Sequence, residues 1–311
     1  MLHSLPTFRN LYVKKLSASR RVSSLFIILF SLLIIWVYQS FFKSTAFPIS
    51  SDCKQSLIES DGFFCEPTIF WNERKRLFHL QDKLNVILRP GDYFFARNWQ
   101  PNFYCSYPQR IGAEVDGGKW VCDPYRLKLQ HDCLIYSVGS NGDFSFETEL
   151  KNFMSHCEIH TFDKNLFQCP TNTCTFHQTT FGDGIKPDNS KNWKTILREL
   201  NHTNRFIDIL KIDIEGGEYT FFPELLNSMT NALPRQILVE IHPANITTIH
   251  EFFNQMRQHH YVNFMKENNL IAGPFYFEYS FLKLNSRFFV WIRPQTNAWI
   301  DITETICSIF W

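Results

Sequence analysis

The stretch IDILKIDIEGGEY, Ile207 to Tyr219, changes character in its middle. Ile207, Ile209, Leu210, Ile212 and Ile214 make a β-branched apolar run too short for an independent helix, which predicts a buried strand. Where the run ends the acids begin: Asp213, Glu215 and Glu218 surround Gly216 and Gly217, which allow a sharp turn or a close backbone approach. Ligands of open α/β sheets bind beyond the carboxyl ends of strands, so an acidic strand end is a candidate site. The alternative is an acidic first turn that complements the dipole of the next helix.

Strands and helices alternate outward from this stretch. Cys133 to Val138 predicts a strand, followed by the loop Gly139-Ser140-Asn141-Gly142-Asp143 and a helix through Phe153. Glu158 to Phe162 is a second strand ending at Asp163, and Thr173 to Gln178 a weaker third. Trp193, Ile196, Leu197 and Leu200 recur at helical spacing, as do Ile249, Phe252, Phe253 and Met256 on the far side of the strand Gln236 to Ile241. Phe275 to Leu284 and Arg287 to Ile292 are expected as an antiparallel hairpin turning at Asn285-Ser286. This order implies right-handed crossovers and a mainly parallel sheet with an antiparallel edge.

Upstream, Leu77, Leu80, Leu84 and Ile87 predict a helix from Trp71 to Leu88, stopped by Arg89-Pro90-Gly91. Asp116-Gly117-Gly118-Lys119-Trp120 is either an anion-binding nest or a tight turn between strands, the latter with Cys105 bonded to Cys122.

With 31 basic and 30 acidic residues the chain lacks the electrostatic footprint of a nucleic-acid binder. Arg9, Lys14, Lys15, Arg20 and Arg21 precede an uncharged, largely apolar run, Val22 to Phe42. At ~1.5 Å per residue such a helix spans the ~30 Å hydrocarbon core. The expectation is a cytoplasmic tail over 1–21, a signal anchor over 22–42, a stem over 43–70 and a catalytic domain over 71–311, as a type II membrane protein of the secretory pathway. A cleaved signal peptide ending near Ser44-Thr45-Ala46, and hence a secreted protein, is the alternative. Asn201-His202-Thr203 and Asn245-Ile246-Thr247 are glycosylation sequons. All nine cysteines follow the apolar run and are expected to pair in an oxidising lumen, leaving one over. No Cys-x-x-Cys pair supports zinc, and no metal is expected.

Three strand ends carry the chemistry. Gly139 and Gly142 would let a nucleotide-like group lie against backbone at a helix N-terminus. Asp163 follows Gly139 by 24 residues and is suited to ribose hydroxyls. The loop lacks the full glycine pattern of a dinucleotide site and the Gly-Lys-Ser/Thr of a phosphate-cradling one.

Gly139 through Asp163, FIDILKIDIEGGEY and ILVEIH resemble FkbM-type class I S-adenosylmethionine-dependent methyltransferases. With NWQP, DGGKWVCDP, SVGSNGDFSFE and EYSFLKL the chain is more similar still to the methyltransferase domain 22 family, over roughly Arg89 to Ile292. The resemblance implies a seven-stranded Rossmann-like α/β sheet with an antiparallel C-terminal hairpin. It implies S-adenosylmethionine cradled by Gly139, Ser140, Asn141 and Gly142, with Asp163 on the ribose and Asp183 near the adenine. Ser137 stands where FkbM-like sequences carry an acid, and Glu147 or Asp143 is the candidate replacement. For a hydroxyl acceptor, a sugar above all, the base expected is Asp213, with His242 as the alternative. Two rivals stand beside this expectation: a lumenal glycosyltransferase using Asp213-Ile214-Glu215 as a metal clamp, and an inactive methyltransferase fold serving as a binding module.

Overall fold

The computed structural model describes residues 52–81, 94–114, 116–185, 190–228, 233–269 and 271–290. The expected tail and apolar span, the helix end at Arg89-Pro90-Gly91 and Cys307 lie outside them. Among the described residues no helix is long and apolar enough to cross a membrane.

The chain runs α1 (Lys54–Glu59), α2 (Thr68–Gln81), α3 (Phe94–Arg97), β1 (Pro108–Ile111), β2 (Lys119–Cys122), α4 (Pro124–Lys128), β3 (Leu134–Val138) and α5 (Ser145–Phe153). It continues through β4 (Glu158–Asp163), β5 (Thr175–Gln178), α6 (Trp193–Glu199), β6 (Ile209–Ile212), α7 (Glu218–Asn227), β7 (Gln236–Ile241) and α8 (Ile246–Gln258). β8 (Tyr261–Asn268), β9 (Phe277–Lys283) and a 3-10 turn (Ser286–Phe289) complete it.

Seven strands form one sheet in the order β5-β4-β3-β6-β7-β9-β8, parallel as far as β7 and antiparallel at β9 and β8. β3, β6 and β7 are buried at every position because both sheet faces are covered, which is why they are apolar runs and not alternating ones. One face packs Tyr136, Val138, Leu210 and Val239 against the apolar stripes of α6, α7 and α8. The other packs Ile135, Ile209 and Leu238 against Phe146 and Leu150 of α5 and against Trp71 and Phe78 of α2. Side chains of Asn192 and Asn245 accept from Thr195 N and Thr248 N and so set the starts of α6 and α8.

The hairpin exists but is built from other residues. β9 pairs with β8, not with a strand after Asn285, and Arg287 lies in the 3-10 turn. Asn285 caps that turn, its side chain accepting from Arg287 N at 3.1 Å, so its turn chemistry starts a helix. β8 carries no regular alternation in YVNFMKEN because its register shifts between Asn263 and Met265 and its outer half is only half-buried.

Part of the expected stem packs with the body: α1 lies within the loop closed by the Cys53–Cys65 disulfide, and Phe63 and Phe64 are buried in the second core. Asp116 to Gly118 lie between the antiparallel strands β1 and β2, Lys119 and Trp120 begin β2, and Cys105 is bonded to Cys122, so the turn alternative holds. Cys133–Cys157 and Cys169–Cys174 bring the disulfides among the described residues to four.

Candidate active site

The carboxyl ends of β3, β4, β6 and β7 open into a cleft of about 580 Å³, inside the ~300–1,000 Å³ range of small-molecule sites. One end is the loop after β3. Gly139 N donates to Phe162 O at 2.8 Å, Asn141 N to Asp163 Oδ2 at 2.8 Å, and Asn165 N to Asp163 Oδ1 at 2.9 Å. Asp163 therefore ties its own loop to the glycine loop, and each carboxylate oxygen keeps a lone pair for a further donor. Thr179, Thr180, Phe181 and Gly182, just after β5, complete this end.

The other end is acidic. Asp213 follows β6, and Glu240 lies beside it near the end of β7; one oxygen of each, and one of Glu278, fall within 4.8 Å of one another. Carboxylates this close repel, and a proton on one of them relieves the repulsion. Glu240 sits opposite Glu278 in the β7–β9 register. Into this acid group comes Lys119 from the β1–β2 hairpin, 1% exposed, donating to Glu278 Oε1 and lying 3.6 Å from Asp213 Oδ2. Burial opposes ionisation of Asp213, but Lys119 and Lys211 outweigh it and hold the carboxyl below its usual range. Burial, then the charges of Asp213 and Glu278, push Glu240 up. Asn269, between β8 and β9, donates to Glu240 Oε1 at 2.9 Å and to Asp116 Oδ1 at 3.1 Å, joining the hairpin turn to the acid pair.

His242 lies among four carboxylates. Its Nδ1 is 3.1 Å from Glu218 Oε1; its Nε2 is 3.3 Å from Glu215 Oε2, 3.9 Å from Glu240 Oε2 and 4.0 Å from Asp213 Oδ1. Burial works against its charge, but the Glu218 hydrogen bond and the surrounding acids raise its pKa. A protonated imidazole cannot accept a proton, so the ordinary value of ~6.5 that recommended it as a base does not apply here. Glu218 is consumed structurally: Oε1 accepts from His242 N and Oε2 from Gly216 N, both at 2.9 Å.

Of the residues singled out from sequence, Gly139, Ser140, Asn141, Asp163, Asp213 and His242 line the one cleft. Gly142 and Asp183 do not. A Cβ on Gly142 would point at the Phe167 ring, 3.0 Å away, and Asp183 Oδ1 accepts from Ile185 N at 2.8 Å. Asp143 lines the cleft, whereas Glu147 is buried behind the loop, accepting from Thr161 Oγ1 at 3.3 Å. Ser137 is fully buried in strand register with Thr161 and Lys211. Glu240, Asn269 and Lys211 were not singled out from sequence, and Lys119 only as part of the Asp116–Trp120 turn. Lys119, Lys211 and Glu240 share a signal, a lone polar group in an apolar strand or at its end, as in KWVC, ILKI and QILVEI, where burial demands a partner.

A family model described as a methyltransferase domain, Methyltransf_22, matches residues 57–283. Among solved structures, a ribosomal RNA methyltransferase from Plasmodium falciparum is 14% identical, with 52% of this chain and 91% of that chain covered and a TM-score of 0.37. TrmK of M. capricolum, in complex with S-adenosyl-homocysteine, is 11% identical over 51% of this chain and 67% of that one, with a TM-score of 0.30. An O-methyltransferase from Klebsiella pneumoniae is 11% identical over 52% and 76%, with a TM-score of 0.31. None of the curated proteins compared matches the chain.

Proposed function

The chain belongs to the methyltransferase domain 22 family, and from that premise we propose that it is an S-adenosylmethionine-dependent O-methyltransferase acting on a hydroxyl, most simply of a sugar, in the secretory pathway. The observation that carries this is the single cleft joining a backbone cradle braced by Asp163 to the closely set carboxyl groups of Asp213 and Glu240.

The cleft suits the donor. Its lining holds the carboxylates of Asp116, Asp143, Asp163, Asp213 and Glu215 against Lys164, Lys211 and the cationic His242, a surplus that favours a cationic ligand. Asp163 would take the ribose hydroxyls, and the backbone of Gly139, Ser140 and Asn141 the methionine part. When bound, the cofactor supplies an electrophilic methyl on a sulfonium, and its loss leaves a neutral thioether. The protein's share is alignment and removal of the acceptor's proton.

That proton goes to the Asp213–Glu240 pair, which titrates as a unit. The fully ionised pair is the base, and its upper step, raised above the ordinary carboxyl range, lies nearer working pH than an isolated aspartate. His242, held cationic, orients the acids around it. Asn269, Asp116, Glu215 and the ring of Tyr276 offer the acceptors and flat surface that a polyol needs. In the glycosyltransferase alternative, Asp213 would clamp a metal, but Lys119 and Glu240 already engage it.

Four disulfides and the exposure of Asn201 and Asn245 support a lumenal body. The deciding experiment is calorimetry of the full chain in detergent with S-adenosylmethionine, followed by tritiated-methyl transfer to a panel of free sugars and glycans. No heat at millimolar donor sinks the proposal; binding with transfer only to amines or thiols corrects the acceptor.

A further inference from the structure

Lys119 is the residue whose position calls for explanation. It comes from the β1–β2 hairpin, outside the seven-stranded sheet, does not line the cleft, and places its ammonium among the acids beneath the acceptor end. An isolated buried ammonium costs several kcal/mol, so a lysine at this place is tolerated only with carboxylates on it. The partners are specific: Glu278 Oε1 accepts from Nζ, Asp213 Oδ2 is 3.6 Å away, and one oxygen each of Asp213, Glu240 and Glu278 falls within 4.8 Å of the others.

The hairpin is held in register over the sheet. Gln236 of β7 donates to Cys122 O at 2.8 Å and accepts from Cys122 N at 2.7 Å, and Ser280 of β9 donates to Trp120 O at 2.9 Å. These contacts lie one to three residues from Lys119 and leave its ammonium little freedom to swing away. The second oxygen of Glu278 has no hydrogen-bond partner among the described residues, so Lys119 makes the hydrogen bond that holds this carboxyl, with the charge of Lys211 acting from farther off.

Three carboxyl groups this close do not all stay ionised beside one buried ammonium, so a proton is expected on the member that the ammonium does not hold. Lys119 touches Asp213 and Glu278; Glu240 is the member without an ion pair to it. We propose that Lys119 is a positioning residue of the acceptor site, its ammonium holding Asp213 and Glu278 as carboxylates so that the one proton of the group rests on Glu240. This rests on the acid end being where the acceptor binds. It goes further by assigning the state of the base to a residue outside the cleft. Asn269 and His242 also face Glu240, and Lys211 and His242 face Asp213; burial pushes the Glu278 carboxyl up, the charges of Lys119 and Lys211 oppose that, and among the described residues Lys119 alone is paired with it.

Infrared spectroscopy of the carboxyl C=O region tests this on the full chain without any acceptor. In wild type near neutral pH, Glu240→Gln removes one protonated-carboxyl band. Lys119→Met adds one, because a carboxylate that has lost its cation takes a proton. Lys119→Met/Glu278→Gln, with both charges gone, returns to the wild-type count, and Lys119→Arg keeps it. A folded Lys119→Met protein with an unchanged count overturns the proposal. If Lys119→Met does not fold, the double variant decides: it retains the Glu240 band if the proposal holds, and a lost or additional band overturns it. Calorimetry with S-adenosylmethionine runs alongside, with affinity expected within about twofold of wild type in each variant. Absence of donor binding in wild type defeats the methyltransferase function and leaves the carboxyl count standing on its own result.

Discussion

A Cβ built on Gly139 would lie 1.6 Å from the carbonyl oxygen of Asp213. The loop after β3 and the end of β6 are thus in backbone contact, and Asp213 N donates to Val138 O at 3.0 Å across the same junction. Absence of a side chain at Gly139 first serves this clasp between donor cradle and acidic end, and only then the approach of a ligand. With φ at +79° the position also favours glycine on conformational grounds.

Gly139→Ala must therefore move backbone. The expected cost exceeds ~2 kcal/mol, beyond that of the unfavourable φ alone, and donor binding is lost with it. Thermal unfolding compared with Gly142→Ala checks this, since the latter meets only a Phe167 ring able to give way. Equal costs would show that the junction relaxes freely.

Asp163 has a separable role. Asp163→Asn keeps one oxygen for a backbone amide but loses the charge and one acceptor, and hydrogen bonds to charged groups contribute ~1.5–3 kcal/mol. Affinity for S-adenosylmethionine should fall at least tenfold, ~1.4 kcal/mol, with a smaller loss of stability than in Gly139→Ala. Glu240→Gln should do the reverse, sparing donor affinity while lowering kcat by roughly 10²–10⁴-fold. Parallel losses in both variants would contradict the division of the cleft.

Stability should decline on the alkaline side. Glu240 has a folded pKa above its unfolded value of ~4.3, so between the two the folded chain holds a proton that the unfolded chain has shed, and rising pH destabilises. His242, also raised, contributes stability in full below ~6.5 and loses it as pH rises through its folded value. Both slopes share a sign. Asp213, lowered by Lys119 and Lys211 against burial, acts only in acid, where its contribution is lost as pH falls. Thermal unfolding from about pH 6 to about pH 9 should show a falling Tm in wild type and a flatter line in Glu240→Gln; matching slopes would remove Glu240 from the account.

Where burial and period agree, the sequence was legible. Leu134–Val138, Gln236–Ile241 and the stripe of α8 appear where apolar spacing puts them, and six of the eight expected site residues meet in one cleft because strand ends converge by topology. Gly142 and Asp183 stand outside that lining because position after a strand says nothing about which way a loop residue turns. β8 was missed because a register shift breaks the alternation that marks a strand. Lys119 and Glu278, 159 residues apart in sequence, were illegible as partners for a different reason: Lys119 stood in a glycine-rich turn and Glu278 in an apolar strand, and only the docking of β2 over β9 brings them together.

That docking gives the last prediction. Cys105–Cys122 closes a separation of 17 residues and anchors β2 just beyond Lys119. Chain entropy alone assigns such a loop ~3 kcal/mol. Cys105→Ser/Cys122→Ser should lower stability by about that amount, and it should also free the hairpin to drift from β7 and β9, weakening the hold of Lys119 on Asp213 and Glu278. The second effect separates this bond from Cys133–Cys157, which joins β3 to β4 at their amino ends, away from the cleft. Cys133→Ser/Cys157→Ser should thus lose comparable stability and leave the infrared carboxyl count as in wild type, whereas the Cys105/Cys122 variant should gain protonated carboxyl. The same count in both would place the anchoring of β2 in its hydrogen bonds to Gln236 and Ser280 and not in the disulfide.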